Sequence, residues 1–116
     1  MKPLLCIALL SLMANAALGE VRYFKADVVK TMIHEQEFGQ CMAMIKPSPE
    51  QNGLDCKKGW VTFSCSGDFN LAETGFQKLA AAQLALLSGD PVFVQVDDYR
   101  KHNGYCYAQR IDNTRQ

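Results

Sequence analysis

The densest run of chemically capable side chains is Asp97-Asp98-Tyr99-Arg100-Lys101-His102, followed at once by the reversal signal Asn103-Gly104. It gathers carboxylates, cations, a phenol and an imidazole before one tight turn. An aromatic ring flanked by donors and acceptors suits a sugar. The ring stacks on the apolar face and the polar groups bond the hydroxyls. Asp98, Tyr99, Arg100, His102 and the neighbouring Tyr105 are therefore the candidate ligand-binding residues. The competing reading is an exposed hairpin whose charges block edge-to-edge pairing.

Other chemistries find less to work with. Hydrolysis needs a nucleophile, a base and an orienting group, or a metal. The chain has two histidines, His34 and His102. Ser64, Ser66 and Asp68 have no histidine near them in sequence, so no catalytic residue is assigned. His34-Glu35-Gln36-Glu37 resembles a metal cluster in composition. Successive side chains in a strand or turn point apart, however, so no metal ligand set and no cofactor is expected.

The compartment is written in the first nineteen residues. Lys2 precedes an apolar run from Leu4 to Leu12, and small residues close it at Ala14, Ala16, Ala17 and Gly19. That order is a secretory signal peptide, and its apolar run is too short to span a bilayer. Ala17-Leu18-Gly19 places cleavage before Glu20, with cleavage after Ala16 the alternative. Cys6 leaves with the leader, so the domain at 20–116 carries Cys41, Cys56, Cys65 and Cys106. An even cysteine count in a small exported chain reads as two disulfides. The close Cys/His pairs of a zinc site are absent from the sequence. Acidic and basic residues number 12 each. Without Lys2 the mature chain is near minus one, with no basic patch for nucleic acid and no second apolar span. A soluble periplasmic or secreted protein follows.

These residues need elements to hold them. Tyr23–Ile33, Cys41–Ile45 and Gly59–Cys65 read as strands, separated by a polar turn at 34–39 and a long loop around Pro47, Pro49, Asn52 and Gly53. Asn70 and Glu73, or Thr74 and Gln77, have capping-box spacing. Apolar residues from Phe76 to Leu87 keep helical spacing, and Gly89 and Pro91 end the pattern. The helix is expected from Leu71 or Gly75 to Ser88. Val92–Val96 alternates as a fourth strand, Asp97–Gly104 follows as a loop, and Tyr105–Ile111 is the fifth strand. In that strand Tyr105, Tyr107 and Gln109 face one side, with Cys106, Ala108 and Arg110 on the other. Trp60 is expected in the core. Met42 and Met44 suit either a buried strand or an oligomer interface. The order β-β-β-α-β-β is that of the OB-fold, a small Greek-key barrel whose faces and loops bind oligonucleotides or oligosaccharides. A curled α+β sheet is the runner-up.

Ala82-Gln83-Leu84-Ala85, followed by Ser88-Gly89-Asp90-Pro91-Val92-Phe93-Val94, resembles the B subunits of secreted bacterial AB5 toxins of the subtilase-cytotoxin and pertussis-like group. There a Gln-Ala helix runs into a small-Gly-x-Pro-Val turn and a strand. The resemblance covers Tyr23 to Asp97 as a pattern of elements. It departs at 47–58, an insertion carrying Cys56, and at the C-terminus, which lacks the group's cysteine-bearing tail. It implies a ring of like subunits and a cysteine pair between the start of strand two and the end of strand three, here Cys41 with Cys65. The alternative links Cys41 to Cys56 across one loop and Cys65 to Cys106. It needs no long reach from the insertion and ties the last strand to the sheet. Cys41–Cys56 and Cys65–Cys106 is the pairing expected.

The function expected is that of a non-enzymatic secreted binding module, toxin-associated by resemblance, with a glycan or a host or envelope protein as partner. A secreted inhibitor of a lysozyme or protease, using the 47–58 loop, is the alternative. A small secreted hydrolase or nuclease ranks last.

Overall fold

A computed structural model describes residues 19–116 of the chain. The expected leader falls outside the described residues, except for Gly19. The elements are β1 (Val21–Ile33), β2 (Cys41–Lys46), β3 (Trp60–Thr62), α1 (Ala72–Ser88), β4 (Val92–His102) and β5 (Tyr105–Asn113), with short 3-10 turns at Phe38–Gln40 and Glu50–Asn52. This is a mostly-β fold with one helix, in the element order expected. The strands hydrogen-bond in the closed order β1-β2-β3-β5-β4, with β4 returning to β1. All neighbours are antiparallel except β3 and β5, which run parallel. No helix among the described residues is long and apolar enough to cross a membrane.

The core follows from alternation. Val92, Val94 and Val96 are fully buried, as are Ala43, Val61, Phe63, Cys106 and Ala108. The helix lays Leu79, Ala82 and Ala85 over them. It closes at Gly89, whose left-handed conformation suits glycine and whose N–H bonds Ala85 O at 2.9 Å. Its first turn sits so close to the exit of β3 that a Cβ on Gly75 would lie 2.8 Å from the Phe63 carbonyl oxygen. Asn70 does not cap the helix. Its Nδ2 donates to the Phe63 and Ser64 carbonyls, and Leu71 occupies the cap position without a side-chain bond.

Several expectations are corrected. Trp60 stands outside the core, half-buried, with Lys30 Nζ 5.8 Å from its ring centroid, because Val61 takes the inward position. Of the two methionines whose placement the sequence leaves open, Met42 is buried and Met44 is partly exposed. β3 ends at Thr62, short of Cys65, where Ser64 turns the chain with a positive φ of 54°. In β5 the register slips between Gln95 and Val96, so Gln109 and Arg110 both leave the core face and Ile111 returns to it. Arg110 therefore does not continue the Cys106–Ala108 side.

The cysteine pairing also differs from expectation. Cys41 bonds Cys65 and Cys56 bonds Cys106, with Cα separations of 5.7 and 5.6 Å. Cys41–Cys56 and Cys65–Cys106 is overturned, for a reason of register. Met42 pairs with Thr62 and Phe63 N–H bonds Cys41 O, which leaves Cys65 beside Cys41 just beyond the strand end. The 47–58 loop meanwhile folds across to the far hairpin. Lys57 N–H bonds Gly104 O, and Cys56 meets Cys106 there.

Candidate functional site

The segment expected as a loop between β4 and β5 belongs to β4, and only Asn103-Gly104 turns. Asp97 pairs with Tyr107 and Lys101 with Cys106, so Asp98, Tyr99 and Arg100 bulge out of the strand together. The bulge is organised from below by Asp97, whose side chain is fully buried. Its Oδ1 accepts Arg100 N–H at 2.9 Å. Its Oδ2 accepts Arg100 Nε at 3.1 Å, Nη2 at 2.7 Å and Gln109 Nε2 at 2.8 Å. A buried carboxylate is tolerable when it is paired and fully hydrogen-bonded.

Above this brace Tyr99 is 57% exposed, and its hydroxyl accepts Gln109 Nε2 at 3.0 Å. The Arg100 guanidinium lies 5.1 Å from the Tyr99 ring centroid and 4.6 Å from that of Tyr107. Burial opposes its charge, but bonding to Asp97 outweighs that and holds Arg100 more basic than usual. Its Nη1 makes no hydrogen bond among the described residues.

Tyr107 is sandwiched, for Lys78 Nζ lies 4.6 Å from the same ring. That ammonium has three neutral acceptors: Tyr107 Oη at 2.9 Å, Asn70 Oδ1 at 2.9 Å and the Ala108 carbonyl at 3.0 Å. Burial, followed by the Arg100 charge, lowers its pKa to about 8. Burial also raises the Tyr107 phenol.

The aromatic series continues from Tyr107 to Phe69 at 5.3 Å and from Phe69 to His102 at 4.3 Å, the last pair stacked. His102 Nε2 is 3.0 Å from Ser64 Oγ, which accepts Phe69 N–H at 3.0 Å. Asp68 Oδ2 is 3.6 Å from the same Nε2. A Ser-His-Asp triad places the acid on the other ring nitrogen and leaves the hydroxyl open to substrate. Here both contacts fall on Nε2 and Ser64 is fully buried. The arrangement is a clamp between hairpin and β3 exit. Burial lowers the His102 pKa, against the pull of Asp68. Gly39 completes the clamp, since a Cβ there would meet His102 Cδ2 and Thr62 Oγ1 at 2.5 Å.

The five sequence candidates thus fall in separate places. Tyr99 and Arg100 stand together on the bulge. Asp98 is occupied elsewhere, its Oδ1 accepting Glu20 N–H at 2.8 Å and its Oδ2 accepting Asp55 N–H at 3.1 Å. His102 lies in the clamp. Tyr105 packs edge-on against Phe38, with Lys57 Nζ 5.6 Å from its ring. Sequence reasoning missed Asp97 as the brace, and Tyr107, Lys78 and Gln109 as its surroundings. It also missed a cleft of about 460 Å³ between the end of β2 and the 47–58 loop, lined by Met44, Lys46, Ser48, Glu50 and Lys58. Glu50 is committed there to Gly59 N–H at 2.8 Å and to the Ser48 hydroxyl. The His34 ring accepts backbone N–H groups of Gln36 and Glu37, and no cluster of three metal-ligating residues occurs among the described residues.

Comparison of the chain with family models, with curated proteins and with solved structures gives no match.

Proposed function

We propose that the chain is an exported binding module with an OB-type barrel, resembling AB5 toxin B subunits, that holds a glycan or a protein surface on the Tyr99–Arg100 bulge. The observation that carries this reading is a largely exposed aromatic ring beside a cation, both raised on a bulge that a buried carboxylate fixes. A ring whose position is fixed in advance loses little freedom on binding. Tyr99 offers the stacking face, and the Arg100 Nη1, which bonds no acceptor among the described residues, is a donor beside it. The Cys41–Cys65 pairing is the one the resemblance implies, and the closed strand order with a parallel β3–β5 pair agrees with the OB topology.

Assembly of like copies belongs to the same reading. Phe76, Leu84 and Leu87 are exposed on the side of α1 away from the core, with Leu71 exposed just before the helix. Such a stripe fits helix-to-helix packing between copies. The inhibitor alternative has less behind it. The loop that would enter an enzyme cleft is packed down by buried Ser48, Pro49 and Leu54 and by the link from Cys56.

The test joins a glycan-array measurement to solution mass, with Tyr99→Ala as the variant. Binding by the native protein, lost in a variant that melts normally, supports the reading. Normal binding by Tyr99→Ala removes the bulge from it.

A further inference from the structure

We propose that cleavage after Gly19 builds part of the binding surface: it turns the Glu20 backbone nitrogen into an ammonium paired with Asp98, and it uncovers the flank of Tyr99. The proposal rests on the export reading. The bond cut is the Gly19–Glu20 amide. Water adds across it under an endopeptidase of the export machinery, giving a carboxylate on Gly19 and an ammonium on Glu20.

The position of Glu20 is fixed independently of the cut. β1 enters the sheet with Val21 opposite Asp97, and Asp98 N–H bonds Glu20 O at 3.1 Å. Glu20 N therefore lies 2.8 Å from Asp98 Oδ1 whether it is an amide or an amine. As an amide it gives one neutral-donor bond. As an ammonium it carries a full charge at the same distance, and such charge-assisted bonds are roughly twice as strong.

Asp98 is prepared for a cation. Burial works to raise its carboxyl, but the Glu20 and Asp55 N–H groups and the Lys101 charge outweigh that and hold it ionised. Its second oxygen already bonds Asp55 N–H, next to Cys56. One carboxylate thus joins the new terminus, the bulge and the disulfide-linked loop. Elsewhere at this end the Glu20 side chain and Arg22 pair with each other at 2.7 Å.

Gly19 accounts for the second half. A Cβ at that position would lie 2.9 Å from Tyr99 Cβ and Cδ1 and 3.2 Å from Asp98 Oδ1. The residue before the cut lies against the ring proposed to meet ligand, and only glycine fits there. Cleavage after Ala16 would leave Ala17-Leu18-Gly19 attached at this spot. Cleavage after Gly19 clears it.

The experiment starts from the full chain exported with its own leader, whose intact mass fixes the first residue. The purified protein is treated at pH 7 with an amine-acylating ester, and the rate at the Glu20 α-amine is read by peptide mapping. Pairing with a carboxylate withdraws the reactive free amine, so the wild type should react about tenfold more slowly than Asp98→Asn. A second chain, released from a fusion so that it begins at Gly19, keeps Asp98 but moves the charge. Its Tyr99 should nitrate more slowly than in the Glu20-initiated chain. If the exported protein begins at Glu20 but its amine reacts as fast as that of Asp98→Asn, the ion pair is refuted and the export reading stands. If Tyr99 nitrates equally in both chains, the uncovering is refuted. A mass beginning at Met1 or Ala17 refutes the proposal through the export reading itself.

Discussion

The two ends of one short stretch of β4 handle polar side chains in opposite ways. At the bulge, Asp97 is buried and its ionic bonds hold Arg100 beside the exposed Tyr99. At the corner, His102 is drawn inward, stacked on Phe69 and bonded to a buried serine. Both ends rest on aromatic contacts that meet at Phe69 and Tyr107. Composition treats the stretch as one ligand loop. The molecule uses one end to present groups and the other to lock the hairpin. What separates them is the partner beneath each: a carboxylate holds a cation at the surface, whereas a hydroxyl holds a neutral ring inside.

The largest effect is expected at the brace. Asp97→Ala leaves Arg100 and Gln109 without their acceptor and should cost about 3 kcal/mol, the upper range for hydrogen bonds to a charged group, since Arg100 is only partly buried. Urea unfolding measures it, and a loss below about 1 kcal/mol would mean that Arg100 finds water instead. Ser64→Ala comes next. It strips a buried acceptor from Phe69 N–H and the partner from His102, at about 2 kcal/mol. It should leave ligand binding by the bulge intact, whereas Asp97→Ala should abolish it. Equal loss of binding in both variants would erase the functional difference between the ends.

A smaller effect separates the ends by pH. Burial lowers the His102 pKa in the folded protein, so at mildly acid pH the unfolded chain binds more protons. The clamp's contribution is complete above the ordinary histidine value of about 6.5 and is lost as pH falls through the lowered one. Melting temperature measured from pH 7.5 to 5 should fall, and His102→Asn should flatten the lower part of the curve. A flat wild-type curve would show that Asp68 fully compensates the charge. The smallest change in stability belongs to Tyr99→Ala, expected within about 0.5 kcal/mol of wild type because the ring is exposed. A larger destabilisation would make Tyr99 part of the brace.

Much of this was readable where a local rule decides. The valines of β4 alternate, Gly89 and Pro91 stop the helix, and Asn103-Gly104 turns the hairpin. Those features depend on neighbours within a few residues. The bulges at Asp98–Arg100 and Gln109 were not readable, because three inserted residues in one strand and one in the other break a two-residue period without leaving a residue type that marks it. Ser64 and His102 meet across 38 positions of sequence, and Lys78 and Tyr107 across 29. Closure of the sheet brings them together. The cysteine pairing went astray for a related reason: Cys41 and Cys56 bracket one loop, but that loop crosses to the other side of the molecule.

The pairing has a topological consequence. The spans 41–65 and 56–106 overlap, so every peptide bond between Cys41 and Cys106 lies inside at least one covalent ring. A protease that nicks the backbone once anywhere in that interval leaves a single particle of unchanged mass, apart from one added water. Side-by-side spans would have left residues 57–64 as a place where one cut divides the protein in two. The exposed turn around Gly67 and the loop before β3 can therefore be clipped in an oxidising environment without releasing either half, until a reductant arrives.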